Sequence, residues 1–422
     1  MELREGYIQT EVGMIPGDWH VVPLSKLIAS LDAGVSVNSV DEKLGFLGHN
    51  ESVLKTSCIS NGYFYPDECK KILPNDIKRA KLIPSKNSVI ISRMNTPALV
   101  GECGYVDKDY PYLFLPDRLW QTTIKKDVGV NVRWLAYLLS FGQFSKAIKE
   151  TATGTSGSMK NISKSIFLNL NVLFPSVKEQ TAIAAALSDA DALVQSLTSL
   201  IAKKRQIKQG AMQTLLAGEK RLPGFSGKWE VKCIGEFTDC TSGGTPSTLM
   251  SHYWNGQIRW MNSGELNLKN VYDVEGRITE KGLRNSSTKL LPPKCVLVGL
   301  AGQGKTRGTV AMNQIQLCTN QSIAAILPNA AFNSEYLYYN LDSRYRELRE
   351  LSTGDGGRGG LNLTIIRSLK VSFPKLPEQA AIAAILSNMD TEINALETKL
   401  TKYQQIKHGM MQNLLTGRIR LI

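Results

Sequence analysis

Residues 174–222 read FPSVKEQTAIAAALSDADALVQSLTSLIAKKRQIKQGAMQTLLAGEKRL, and residues 373–421 read FPKLPEQAAIAAILSNMDTEINALETKLTKYQQIKHGMMQNLLTGRIRL. The two align at a constant offset of 199 with no gap, and 24 of the 49 aligned positions are identical. The chain is therefore internally duplicated, and its order is lobe, helix, lobe, helix. Each copy opens on a helix-start signal, Pro175 or Pro374 followed by Glu179-Gln180 or Glu378-Gln379 near the first turn. Apolar residues then recur at alternating steps of four and three. In the first copy they are Ile183, Leu187, Ala190, Val194, Leu197 and Ile201, continuing through Lys204, Lys208 and Ala211 to Leu215. In the second they are Ile382, Leu386, Met389, Ile393, Leu396 and Leu400, continuing through Tyr403, Lys407 and Met410 to Leu414. A mean spacing of 3.5 is a coiled-coil seam. The lysines inside it predict polar register points or contacts with other chains. Gly218 and Gly417 are placed to end the helices. Each helix should hold about 38 residues and extend about 57 Å, and the two are expected to pair with each other.

The lobes repeat more faintly. Trp19-His20-Val21 with Leu24 matches Trp229-Glu230-Val231 with Ile234. Ser88-Val-Ile-Ile-Ser-Arg93 and Cys295-Val-Leu-Val-Gly-Leu300 both read as buried strands. Asn131-Val-Arg-Trp-Leu135 and Asn333-Ser-Glu-Tyr-Leu337 each open an amphipathic helix. Both helices run into loops rich in glycine, serine and threonine, residues 153–158 and 353–360.

The remaining composition narrows the function. The chain has 422 residues and a formal net charge of +13, which favours a polyanionic partner. Its seven cysteines (Cys58, Cys69, Cys103, Cys233, Cys240, Cys295 and Cys318) form no Cys-x-x-Cys pair, and its four histidines (His20, His49, His252 and His408) lie far apart. This is the pattern of reduced thiols in a cytoplasmic protein without a zinc signature. No apolar run is long enough to span a membrane, and the N-terminus does not resemble a signal peptide.

One motif misleads. Gly299-Leu-Ala-Gly-Gln-Gly304-Lys305-Thr306 fits a phosphate-binding loop at every position. That chemistry requires a helix starting at the lysine. Arg307-Gly308-Thr309-Val310-Ala311 reads instead as a turn into a strand, giving a hairpin tip suited to DNA phosphates or base edges. Nuclease readings of Pro66-Asp67-Glu68-Cys69-Lys70 and of Glu397-Thr398-Lys399 fail on spacing. A methyltransferase reading lacks a cofactor loop, and nothing supports a nucleophilic triad.

What survives is DNA binding. The loop Ser242-Gly243-Gly244-Thr245-Pro246-Ser247 is expected to bring exposed amides close to a phosphate backbone, with Ser36 and Asn38 as its weaker counterpart in the first lobe. Arg93 and Asn95 occupy the place that Gln303, Lys305 and Arg307 occupy in the second lobe. Arginine, asparagine and glutamine are the usual bidentate readers of bases. Thr155, Ser158 and Lys160, and Arg358 in the second lobe, extend the candidate surface.

Taken together, the twin Phe-Pro-x-x-x-x-Glu-Gln-x-Ala-Ile-Ala starts, the twin Gln-x-Ile-Lys-x-Gly-x-Met-Gln-x-Leu-Leu-x-Gly ends, the Ser-Gly-Gly-Thr-Pro-Ser loop, the Trp-x-Val openings and Asn320-Gln321-Ser322-Ile323 resemble the specificity subunit of type I restriction-modification enzymes. The resemblance covers essentially the whole chain. It implies a two-lobed α/β (α+β) fold with a pseudo-twofold internal repeat, in which two target-recognition domains are linked by a long antiparallel coiled-coil helix pair. The division is 1–172 for the first recognition domain, 173–222 for the central spacer helix, 223–371 for the second domain and 372–422 for the distal spacer helix. The resemblance further implies double-stranded DNA as ligand, one half of a bipartite site per domain, and helices that set the gap between the halves. Two modification (methyltransferase) subunits carrying S-adenosylmethionine and two restriction (motor) subunits using ATP and Mg would dock on the chain, which itself would bind no cofactor or metal and catalyse nothing. Ile183, Leu187, Leu197, Ile382, Leu386, Leu396 and Tyr403 are the expected docking and spacer residues. Two other classes stay open: a P-loop nucleotide-binding enzyme, and a coiled-coil scaffold that joins proteins without reading DNA.

Overall fold

The computed structural model describes residues 6–10, 13–41, 51–60, 62–154, 158–302, 304, 306–351 and 360–421. It divides into two compact units, Met1–Leu197 with Lys399–Ile422, and Thr198–Thr398. Each unit holds one lobe, the N-terminal half of one long helix and the C-terminal half of the other. Those helices span Val177–Leu216 and Leu376–Leu414.

In the first unit the lobe is built on a four-stranded antiparallel sheet in the order Cys103–Val106, Ser88–Ser92, Leu119–Ile124, Ile28–Ala33. Ser88–Ser92 is buried at every position, as an unbroken run of small and β-branched residues at the centre of a sheet should be. A second small sheet orders Leu113–Phe114, Ser52–Leu54, Cys69–Ile72 and Ser39–Val40, with its first pair parallel. In the second unit the main sheet runs Val310–Asn313, Val296–Gly299, Ile323–Ile326, Cys240–Ser242, and Asn270–Val271 is added in parallel at the Val310–Asn313 edge. A parallel pair recurs there too, Trp254–Met261 with Cys318–Thr319. The strand order of the two lobes is therefore the same, although their sequences have diverged.

Each lobe closes at its neck. The strand that opens the first lobe, His20–Pro23, pairs antiparallel with the strand that leaves it, Asn171–Phe174. In the second lobe Glu230–Cys233 pairs with Lys370–Phe373 in the same way. The two predicted amphipathic helices form at Val132–Ser140 and Ser334–Asp342. Asn131 caps the first by accepting from the Trp134 amide at 3.0 Å, and Asn333 caps the second from the Tyr336 amide at 2.9 Å. A cap of this kind contributes about 1 kcal/mol.

The heptad seam is shielded along its length, with no seam position exposed. Its lysines are ion-paired within each unit: Lys407 with Asp191 in the first, Lys204 with Glu392 and Lys208 with Asp390 in the second. The expectation that the seams pair with each other is incomplete, because their first turns also pack on the lobes. Ile183, Ala184 and Leu187 join a core cluster with Trp134, Leu135 and Phe167 of the first lobe, along with Leu414 and Leu415. Ile382, Ala383 and Leu386 do the same with Tyr336 and Leu337 of the second lobe, along with Leu215 and Leu216. The first turns of each helix thus lie on a lobe, and the last turns of the other helix complete that core.

Both helices end as the glycines predict. Gly218 and Gly417 adopt left-handed φ angles of 73° and 71°. The absence of a side chain also allows an aromatic ring to approach: a Cβ at Gly218 would lie 3.1 Å from the Trp229 ring, and one at Gly417 would lie 3.3 Å from Trp19 and 2.6 Å from Pro16. The glycine and the tryptophan of each half are one packing unit.

Candidate DNA interface and the seats that hold it

Three polar residues near the start of each long helix hold the adjoining lobe. Glu179 is 3% exposed; its Oε2 accepts from the Trp19 indole at 2.9 Å, while Arg420 donates to both carboxylate oxygens at 2.6 and 2.8 Å. Glu378 accepts from the Trp229 indole at 3.0 Å and from Arg221 at 2.7 and 2.8 Å. Such a bidentate pair fixes orientation as well as charge. Gln180 and Gln379 are fully buried. Each donates to the Phe-Pro carbonyl, Pro175 or Pro374, at 2.9 Å, and each accepts from the Asn131 or Asn333 amide, also at 2.9 Å. Asp191 accepts from Tyr137 at 2.6 Å and pairs with Lys407; Asp390 accepts from Tyr339 at 2.8 Å and pairs with Lys208. Burial, and then the aspartate hydrogen bond, push both tyrosine hydroxyls above their ordinary range, so they stay protonated and donate.

Every residue of this seat is the same in both halves: Trp, Asn and Tyr from the lobe, Glu, Gln and Asp from one helix, and Lys and Arg from the end of the other. The glutamate and glutamine read in the sequence as a helix start. Their role as lobe anchors was missed because their partners are up to 241 residues away. Their identity in both copies was the available signal.

The residues expected to read DNA fall into two groups. Arg93 and Lys160 are brought together in the first lobe, where Met94–Asn95 pairs with Lys160–Asn161 and the Ile162 amide donates to the Arg93 carbonyl at 2.9 Å, and Ser158 lies two residues before Lys160. The Arg93 guanidinium stacks 5.8 Å from the Trp120 ring centroid. In the second lobe the segment after Val296–Gly299 returns as the antiparallel strand Val310–Asn313, and among the described residues of 300–309 there is no helix after the phosphate-loop motif. Arg307 lies on this hairpin, and the Leu361 amide, next to the 353–360 loop, donates to the Leu300 carbonyl at 3.1 Å. The Ile162–Arg93 backbone bond of the first lobe thus recurs as the Leu361–Leu300 bond of the second. Thr155, Gln303, Lys305 and Arg358 lie outside the described residues.

Other expectations need correcting. Gly243 and Gly244 are buried, and the Gly244 amide already donates to Thr319 O at 2.9 Å. A Cβ would meet Thr319 O at 1.9 Å from Gly243 and Ser287 Oγ at 2.2 Å from Gly244, so these glycines serve close backbone packing rather than phosphate contact. Thr245 is exposed and donates to Gln321 at 2.6 Å. Asn95 is buried and turned inward, donating to Ser92 Oγ and accepting from the Thr96 amide. Ser36 and Asn38 are exposed, with the Asn38 backbone held by Asp76 and Leu73. Ile183, Leu187, Leu197, Ile382 and Leu386 are buried in the chain itself, so they form the spacer packing and offer no surface for docking another subunit; Leu396 and Tyr403 are half-buried.

A basic chain carrying two lobes of one topology, each on an identical seat, is the layout of a duplicated DNA specificity domain. The chain belongs to the type I restriction modification DNA specificity domain family, whose pattern matches residues 18–209 and again 226–408. It is a specificity subunit with two such domains. The type I restriction enzyme MjaVIII specificity subunit of Methanocaldococcus jannaschii is 22% identical over 431 residues, 96% of this chain and 94% of that one. The EcoR124I/EcoR124II specificity subunit of Escherichia coli is 27% identical over 232 residues, 54% of this chain and 56% of the other. The crystal structure of the type I restriction-modification S subunit from M. genitalium shares the fold, with a TM-score of 0.64 at 17% identity over 98% of both chains. No helix among the described residues is long and apolar enough to cross a membrane.

Proposed function

We propose that this chain reads a bipartite duplex target for a type I restriction-modification assembly, the first domain contacting one half-site and the second domain the other. The observation that carries this reading is the contrast within each half: the seats agree residue for residue, whereas the outward loops, Arg93–Lys160 in one domain and the hairpin bearing Arg307 in the other, do not. A common holder with two different readers suits a target with two unlike halves. Arginine and lysine at these loops supply phosphate contact and guanine readout. Catalysis falls to other subunits, two that methylate DNA with S-adenosylmethionine and two that use ATP and Mg, in the cytoplasm. The Gly299–Thr306 hairpin supports this division, because a phosphate-loop sequence that turns back as a strand provides no helix N-terminus for nucleotide.

Exchanging residues 1–170 for those of a chain of different specificity tests the proposal. Methylation-sensitive sequencing of DNA from cells expressing the complex should then show one half-site changed and the other kept. Change in both halves, or in neither, would refute it.

A further inference from the structure

Asp191 and Asp390 are equivalent in the repeat but are not equally held. Asp191 accepts a third donor, the Tyr63 hydroxyl, at 2.5 Å, and Lys407 Nζ donates to that same hydroxyl at 3.0 Å. The Lys407 ammonium also sits 4.8 Å from the Tyr63 ring centroid. Among the described residues Asp390 has Tyr339 and Lys208 but no such third donor. Both aspartates border a pocket, of about 130 Å³ beside Asp390 and about 260 Å³ beside Asp191, the latter lined by Tyr63 and Tyr137.

Tyr63 belongs to the hairpin Ile59–Ser60/Tyr63–Phe64. That hairpin is fused to the edge of the main sheet. Its backbone presses on Gly104, where a Cβ would come within 2.9 Å of Tyr63 and Phe64, and Ile59 is buried with Ile90, Val106 and Leu119. Gly104 lies in Cys103–Val106, which pairs with Ser88–Ser92, the strand that delivers Arg93. From Asp191 to Arg93 the connection crosses only packed strands. Tyr137 reaches the same carboxylate from the helix Val132–Ser140, which has further ties of its own: the Asn131 cap and Cys103 Sγ donating to the Ala136 carbonyl at 3.8 Å.

We infer that Tyr63 is a positioning residue for the first half-site: it latches the edge of the reading sheet to the long helix, so that the loop bearing Arg93 is presented in one orientation. Among the described residues the second domain has no equivalent latch. This inference rests on the division of DNA reading proposed above.

Tyr63→Phe and Tyr137→Phe remove one hydroxyl each from the same carboxylate, and their comparison is the test. In the assembled complex, binding to duplexes carrying single-base changes in either half-site is measured. Y63F should lower discrimination at the first half-site by roughly three- to tenfold, the equivalent of one lost hydrogen bond, and leave the second unaltered. Y137F should lower the stability of the chain, as loss of one seat hydrogen bond, and leave the discrimination at both half-sites in place. Amide hydrogen exchange of the full chain provides a readout independent of DNA: residues 59–64 and 103–106 should exchange faster in Y63F and not in Y137F. Indistinguishable variants, unchanged exchange, or equal loosening of both half-sites would overturn the latch. A wild-type complex that protects no bipartite sequence would instead overturn the functional reading on which it depends.

Discussion

The two domains share the strand order of their main sheets and differ where those sheets meet their surroundings. At the edge beside the long helix, the first domain places the Tyr63 hairpin and the second adds the strand Asn270–Val271, whose neighbour Lys269 bonds Asp342 at 2.6 Å. At the neck, by contrast, Trp, Asn and Tyr have the same partners in both. The residues at the neck have been kept, whereas the sheet edges have diverged, even where a side chain such as Tyr63 reaches the helix. The identities that survive between the lobes therefore trace the seat, and the differences trace the readers.

If the seats are equivalent, breaking them should cost the same. Glu179→Ala and Glu378→Ala each remove the buried carboxylate shared by a half-buried arginine and an indole, and each should lower stability by about 2–3 kcal/mol in denaturant unfolding of the full chain. A cost below about 1 kcal/mol for either one would show that its seat does not hold its domain. A smaller and unequal pair comes from the helix ends. Gly218→Ala and Gly417→Ala both force a side chain into a left-handed φ, a strain of roughly 1–2 kcal/mol. Gly417→Ala should cost more, because its methyl would lie 2.6 Å from Pro16, whereas that of Gly218→Ala would meet Trp229 at 3.1 Å. The reverse order in thermal melts would remove the packing explanation.

The least effect separates the seats by pH. Arg420 also bonds Asp18, at 2.7 and 2.8 Å, where the second half has Lys228, and Arg221 turns to the Gly227 carbonyl. The Arg420 hydrogen bonds hold the Asp18 carboxyl below its ordinary range. A carboxyl depressed in the folded state stabilises above its unfolded pKa of about 3.9, and that contribution fades as pH falls through the lower folded value. Acid should therefore loosen the first seat slightly more than the second, and Asp18→Asn should abolish the difference in a stability titration from pH 5 to about 2. An unchanged titration would mean that Asp18 adds nothing.

Much of this was legible in the sequence. The 199-residue offset, the heptad phase and the terminal glycines gave both long helices and their ends, because those signals are local and periodic. Trp19 with Trp229, and Asn131 with Asn333, stood out as faint matches, and the structure explains why those particular residues persisted. The shared sheet order was not legible, since strand pairing joins segments far apart and depends on packing rather than on residue identity. The inward turn of Asn95 and the burial of Gly243 and Gly244 were hidden for the same reason. A glycine needed for backbone contact and one needed at a phosphate look alike until the neighbouring strand, here Thr319, is in place.

The even spacing of the repeat has a genetic consequence. Glu, Gln, Asp, Lys and Arg stand at the same positions of both 49-residue copies, with no gap between them. A crossover between the copies, at any point along them, preserves the reading frame and leaves every seat residue in its place. Recombination could therefore exchange or reorder the domains between related genes while each new junction still encoded a working anchor.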